Sequence, residues 1–238
     1  MKKVFSFILA LALCTGNAMA FENEPEEGLS WMGVFGMNIS KLQNSEYSAK
    51  AGAQLGIRAD YMLPKAHGTY LTAGIDWSMK GGKASDNIFN LIEEPIGSSK
   101  YVLHYIEVPV RVGFRYNVLD NLGFYGEIGP YFAVGVGGCH SASIDLDGGD
   151  ARTMEEELSF NAFKNYDDLT QSFQRWDAGI GFRIGAEYEQ RYNFMIGADW
   201  GLADIYRTSL RDRFFDQTGI SLPKVHNFNF SFTVGYRF

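Results

Sequence analysis

Cysteine and proline are scarce in this 238-residue chain, at 2 and 6 residues, and charged residues make up only 21% of it. Beyond residue 20 the only thiol is Cys139, so no internal disulfide framework can hold the fold. No uncharged apolar run of 18 residues follows the N-terminal segment, which excludes a mature membrane-spanning helix. Glycine is abundant at 27 residues and aromatics reach 15%, a profile that suits strands packed side by side better than a helical bundle. A membrane β-barrel is compatible with a mean hydropathy of −0.15, because each spanning strand carries only a weak apolar signal.

Residues 1–20 have the plan of a secretory signal: Lys2 and Lys3, an apolar run from Val4 to Leu13, then Ala18-Met19-Ala20 with small residues at the cleavage positions. Cys14 follows Leu13 where a lipoprotein signal wants a small residue, which argues against lipidation. Without this segment 19 basic and 28 acidic residues remain, a formal charge of −9. That balance excludes nucleic acid as a natural partner.

After an acidic lead, apolar and polar residues alternate over 29–39, 51–62, 70–80, 101–116, 122–135, 175–188, 192–202 and 226–238. Period two predicts strands. The connections alternate long and short: 40–50, 63–69, 81–100, 117–121, 136–174, 189–191 and 203–225. Short turns on one side and long loops on the other are the plan of an up-and-down barrel in an outer membrane, with both termini on the periplasmic side.

The faces of strands two to eight carry the argument further. One face comprises odd positions 51–61 and 71–79 and even positions 102–116, 122–134, 176–188, 192–202 and 228–238, 45 residues without a single Asp, Glu, Lys or Arg. At the chain average of 21%, about nine would be expected. The opposite parity holds Arg58, Lys80, Arg111, Arg115, Arg175, Arg183 and Arg237 against Asp60, Asp76, Glu107, Glu127, Asp177, Glu187 and Asp199. An eight-stranded interior is only just wide enough to be filled by side chains, and 45 positions this rich in Phe, Tyr, Trp and Ile would overfill it. The bulky face therefore points outward into lipid, and the seven cations and seven anions face the lumen.

Rim residues agree. Trp77, Trp176 and Trp200 fall near the outer ends, while Tyr61, Tyr116, Tyr188, Tyr192 and Tyr236 fall near the periplasmic ends, as in paired aromatic girdles. The first strand is blurred by Gly33, Gly36 and Asn38 and is placed by topology.

Strands four and five read Tyr105-Ile106-Glu107-Val108-Pro109-Val110 and Tyr125-Gly126-Glu127-Ile128-Gly129-Pro130-Tyr131. Together they resemble the PorT-like family of bacterial outer-membrane β-barrels, which carry a Y-[IL]-E-[IV]-P strand followed by a G-P-Y strand. The resemblance extends to Asp177-Ala178-Gly179-Ile180-Gly181 and to the ending Val234-Gly235-Tyr236-Arg237-Phe238. It implies an eight-stranded outer-membrane barrel, with some members linked to protein secretion, and it transfers no catalytic residue.

Proline cannot donate to a strand ladder, and Pro109 and Pro130 fall almost opposite one another, which predicts a bulge or a locally widened pair. Aromatic residues alternate up to the terminal Phe238, in the manner of the last-strand signal read by barrel-assembly machinery, although Gly235 sits two residues nearer the end than the common pattern.

Balanced charge in a narrow barrel favours mutual neutralisation over an ion path. The expected network is Arg58, Asp60, Asp76, Lys80, Glu107, Arg111, Arg115, Glu127, Asp177, Arg183, Glu187, Asp199 and Arg237, with Arg111 paired to Glu107 or Glu127 and Arg183 to Glu187. Other constellations are weaker. His104 with Ser98 or Ser99 would suit a lipid-modifying enzyme, but no acid completes a triad. Cys139-His140 is half a metal site. In the acidic loop 136–174, Asp145, Asp147 and Glu156 occupy calcium-loop positions 1, 3 and 12, yet position 6 is Asp150 where Gly is needed, and a short helix is expected from Met154 to Phe163.

The sequence thus predicts an all-β protein: a signal segment 1–20, then over 21–238 an eight-stranded antiparallel up-and-down transmembrane β-barrel with long extracellular loops, in the outer membrane of a Gram-negative bacterium. Expected partners are outer-membrane lipids, the barrel-assembly machinery during biogenesis, and a protein bound at the extracellular loops or the periplasmic rim. No cofactor, metal site or catalytic residue is expected. The function expected is that of a closed structural, binding or secretion-associated component, with a narrow solute or ion channel and a lipid-modifying enzyme as alternatives.

Overall fold

The computed structural model describes residues 28–44, 48–86, 97–144, 160–161, 163, 173–208, 211–212, 215–216, 219, 221 and 223–238. Eight long strands form the barrel: β1 (Gly28–Gln43), β2 (Lys50–Met62), β3 (Thr69–Asp86), β4 (Gly97–Leu119), β5 (Leu122–Ile144), β7 (Trp176–Tyr188), β8 (Tyr192–Gly201) and β9 (His226–Arg237). A two-residue strand, β6 (Phe160–Asn161), pairs with the outer part of β5 at His140 and Cys139. It lies where the end of a helix was expected. All pairings are antiparallel, the eight long strands pair in chain order with β5 next to β7, and β1 with β9 joins first to last, so no edge is left within the bilayer.

Alternation along each strand settles the faces. Phe35, Leu55, Ile75, Phe132, Ile184 and Phe232 are exposed, while Asn38, Arg58, Asp76, Tyr131, Arg183 and Ser231 on the opposite parity are buried. The barrel is apolar outside and polar inside, the arrangement lipid demands and water does not. The first strand conforms: Gly36 and Asn38 face the lumen, and Gly33 lies outward beneath the ring of Phe238.

Strands β3, β4 and β5 are longer than the sequence pattern indicated. Residues 122–134 of β5 pair with β7, and the ten residues beyond outrun that neighbour. They continue along β4 as far as Gly97 opposite Ile144, and β3 follows to Asp86 opposite Gly97. Period-two hydropathy stops where the bilayer stops, because above it both faces meet water, but the hydrogen-bond ladder does not.

The proline expectation is corrected in part. Val110 and Arg111 face Gly129 and Pro130 without pairing, and the register on either side is unchanged. The strands are not widened there, since a Cβ on Gly129 would collide with the Val110 carbonyl. The register shifts lie elsewhere, at His104/Tyr105 and Asn117/Leu119. Pro130 removes one donor from the ladder, and Gly129 beside it on β5 lets the chains stay close without it.

Candidate functional site

The lumen is filled in tiers. Nearest the periplasm, Arg237 lies 2.9 Å from both Asp60 and Glu187, and Arg115 lies 3.3 Å from Asp60 and 3.6 Å from Glu187. Two cations and two anions thus form a closed ring of contacts. Above it Met32, Val34, Met62, Tyr70, Tyr125 and Met195 form an apolar cluster. The Arg115 guanidinium sits over the Tyr70 ring at 5.0 Å, and the Tyr70 hydroxyl donates to Glu127 at 3.3 Å, so this cluster joins two charged tiers.

The middle tier has three cations and three anions. Arg58 pairs with Asp76 at 2.9 Å, Arg111 with Asp199 at 3.2 Å and Glu127 at 3.8 Å. Arg183, fully buried, stands 3.9 Å from Asp76, 3.9 Å from Glu127 and 3.7 Å from Asp199. The Gln54 amide donates to Asp76 at 3.1 Å. The outer tier is smaller. Lys80 lies 2.6 Å from Glu107 and 3.6 Å from Asp177, with its ammonium over the Tyr131 ring at 4.7 Å. Asn227 and the Tyr131 hydroxyl donate to Asp177 at 2.8 and 3.3 Å.

All thirteen residues of the expected network are buried and belong to these tiers. Arg111 takes Glu127, one of its two expected partners. Two details differ from expectation. Arg183 does not meet Glu187, which pairs instead with Arg115 and Arg237. Residues four apart on one strand are roughly 13 Å apart, farther than partners reaching across a narrow bore. Arg175 is exposed at the mouth, donating to the Gly135 carbonyl at 3.2 Å and lying over the Phe163 ring, so six of the seven expected cations are buried with the seven expected anions.

Room for these long side chains comes from glycines on the same parity, a signal the charge count passed over. A Cβ on Gly181 would strike the Asp199 carboxylate and come within 2.9 Å of Arg111, and one on Gly113 would strike the Tyr70 ring. Lumen glycine is therefore a packing requirement here, independent of backbone conformation.

At the outer mouth the filling becomes apolar. Leu42, Leu103, Tyr105, Tyr131 and Ala133 from the strands meet Phe163, Phe173, Ile205 and Val225 from the long connections. Tyr101 and Phe173 pack edge to face at 5.1 Å, as do Tyr105 and Phe163 at 5.8 Å. Asp204 organises the 203–225 connection by accepting backbone hydrogen bonds from Tyr206 and Val225, each 3.1 Å, and the Arg211 guanidinium at 2.6 Å. Burial, with the charges of Tyr101 and Asp204, pushes the Tyr206 hydroxyl up to about 12.

The other sequence candidates separate. His104 stacks on Trp77 on the lipid side, with ring centroids 5.5 Å apart. The side chains of Ser98, Ser99 and His140, and residues 145–150, 154 to 159 and 1–20, lie outside the described residues. Cys139 is exposed, and among the described residues no group of three His, Cys, Asp or Glu could hold a metal. One buried cation went unnoticed in the sequence, Lys50 at the outer end of β2.

A closed barrel with a lipid-facing exterior and an ion-paired lumen defines a small outer-membrane β-barrel protein of the Gram-negative type. The chain belongs to the outer membrane protein beta-barrel domain family, which it matches over residues 6–238. No curated protein matches it. Among solved structures it is similar to Neisserial surface protein A, at 14% identity and a TM-score of 0.44 over 89% of this chain and 100% of that one. It is also similar to OprG from Pseudomonas aeruginosa, at 11% identity and 0.41 over 90% and 98%. Ail, the attachment invasion locus protein of Yersinia pestis, solved with the heparin analogue sucrose octasulfate, matches at 11% identity and 0.40 over 90% and 100%.

Proposed function

We propose that this protein is a non-conducting barrel whose lumen serves packing alone and whose outer end and periplasmic rim do the binding, as a structural or secretion-associated component. The observation that carries this reading is the double closure: three tiers of paired charges in the bore, then an aromatic cluster across the mouth. Paired, buried ions leave no continuous polar path of the width a solute needs. A rigid scaffold whose interior is occupied leaves its loops and rim as the surfaces open to partners. The PorT-like motifs at 105–110 and 125–131 support the secretion-associated form of this role.

Planar-bilayer recording tests the closed barrel. The reading expects no stepwise conductance, and discrete openings that scale with salt concentration would overturn it in favour of a narrow channel. A deletion strain tests the secretion role, which expects cargo to accumulate in the periplasm. The enzymatic alternative places its chemistry at His104, and altered lipid acylation that disappears in His104→Ala would establish it.

A further inference from the structure

One charged patch lies outside the lumen and its mouth. Lys83 of β3 and Lys100 of β4 are exposed and directly opposite in the register, two rungs along the same face beyond Met79 and His104. Like charges facing across a strand pair repel. Ser48 holds Lys83 by two backbone hydrogen bonds of 2.6 and 3.1 Å, which brings the start of β2, and with it Lys50, to the same corner. Lys50 is only 4% exposed, its ammonium donates to the Ala51 carbonyl at 3.3 Å, and the charges of Lys100 and Lys83 act on it. Among the described side chains no carboxylate lies within ion-pair distance of these three lysines. In a chain of formal charge −9 beyond residue 20, three cations at one corner with no carboxylate partner among the described side chains mark a place for a bound anion.

Directly below, on the lipid side, runs a shallow apolar groove of about 1040 Å³. Leu55 and Ile57 of β2, Ala73, Ile75 and Trp77 of β3 and Ile106 of β4 line its upper part. Ala73 is the small side chain among these bulkier neighbours. The stacked Trp77 and His104 rings stand between groove and lysines, at the depth where aromatic side chains mark the membrane interface.

We propose that this face is a binding site for a phosphorylated lipid of the outer leaflet. Lys83 and Lys100 take the phosphate, Lys50 strengthens the field behind them, and acyl chains lie in the groove over Ala73. Charge complementarity fixes the occupant: an uncharged lipid would satisfy the groove and leave the lysines repelling one another, whereas a headgroup phosphate answers both.

The test uses the full barrel in uncharged detergent, with native mass spectrometry and thermal midpoint as readouts and diphosphoryl lipid A as the probe. Expected are retention of the lipid, a raised midpoint, and binding about tenfold weaker in the Lys83→Gln/Lys100→Gln double variant. The Lys83→Arg/Lys100→Arg variant keeps the affinity, and heat-shifted gel migration verifies that every variant is folded. Equal binding of a fully dephosphorylated analogue, or undiminished binding in the Gln variant, would overturn the proposal. So would inorganic phosphate competing at equal concentration, since the site would then serve a free anion.

Discussion

Arg183 and Phe173 lie ten residues apart in the chain and are equally inaccessible to water, yet they help to close the barrel by opposite chemistry. Around Arg183 the bore is sealed by charges that neutralise one another, supplied entirely by strands. Around Phe173 it is sealed by apolar rings, four of whose contributors come from connections rather than strands. The charged section is intolerant of partial loss, because one missing partner strands the others in a medium that cannot solvate them. The aromatic section degrades gradually, because a lost ring leaves a void and no orphaned charge.

Single and paired substitutions sharpen this contrast. The largest effect is expected for Arg183→Ala, which leaves Asp76, Glu127 and Asp199 undercompensated and should cost about 3–5 kcal/mol in urea unfolding from lipid vesicles. Lys80→Met should behave similarly in the outer tier, while the Lys80→Met/Glu107→Leu double variant should recover part of the loss, because Glu107 is no longer stranded while Asp177 keeps only its bonds from Asn227 and Tyr131. If the double variant is worse than the single, the tiers contribute net attraction and the contrast with the mouth is misdrawn.

Phe173→Ala should cost up to about 3 kcal/mol, read as faster proteolysis of the connections with the membrane-embedded strands still protected. It should also leave bilayer conductance at zero, since the charged tiers remain. Gly181→Ala should destabilise by about 1–3 kcal/mol through the Asp199 and Arg111 clash, measured by the same unfolding assay.

The smallest effect concerns pH. The Tyr206 hydroxyl is held neutral to about 12 against an ordinary value of 10. A raised folded value means its contribution is complete below pH 10 and is lost as pH climbs toward 12. Near-ultraviolet circular dichroism of the mouth aromatics should fade over that window, and Tyr206→Phe should remove the Tyr206 component of the change.

The same contrast explains what could be read from the sequence. Strand residues repeat every second position, so Arg58 through Arg237 announced both the barrel and the thirteen buried charges. Which charges meet was not legible, because partners are chosen across the bore by strand tilt and not along the strand. Phe163, Phe173, Ile205 and Val225 sit in stretches without period, and only the folded connections bring them together. Tyr70, Tyr105, Tyr125 and Tyr131 were legible in principle, standing on the charged parity, where an aromatic has no reason to be unless it fills the lumen. The outer ends of β3 to β5 were invisible for a different reason: pattern tracks solvent contrast, and above the bilayer there is none.

Those outer ends have a mechanical consequence. Beyond β7, the ten extra residues of β5 and their partners on β4 and β3 form a crest on one side of the barrel, joined to the wall by the same strands. A load applied along this crest is a shearing load, borne by many hydrogen bonds at once, and it passes straight down into the membrane-embedded wall. Below the register shift at His104/Tyr105, the next interruption it meets is the unpaired step where Val110 and Arg111 face Gly129 and Pro130, level with the middle tier of Arg111 and Glu127. Any pull on the crest would thereby reach the centre of the ion-pair network.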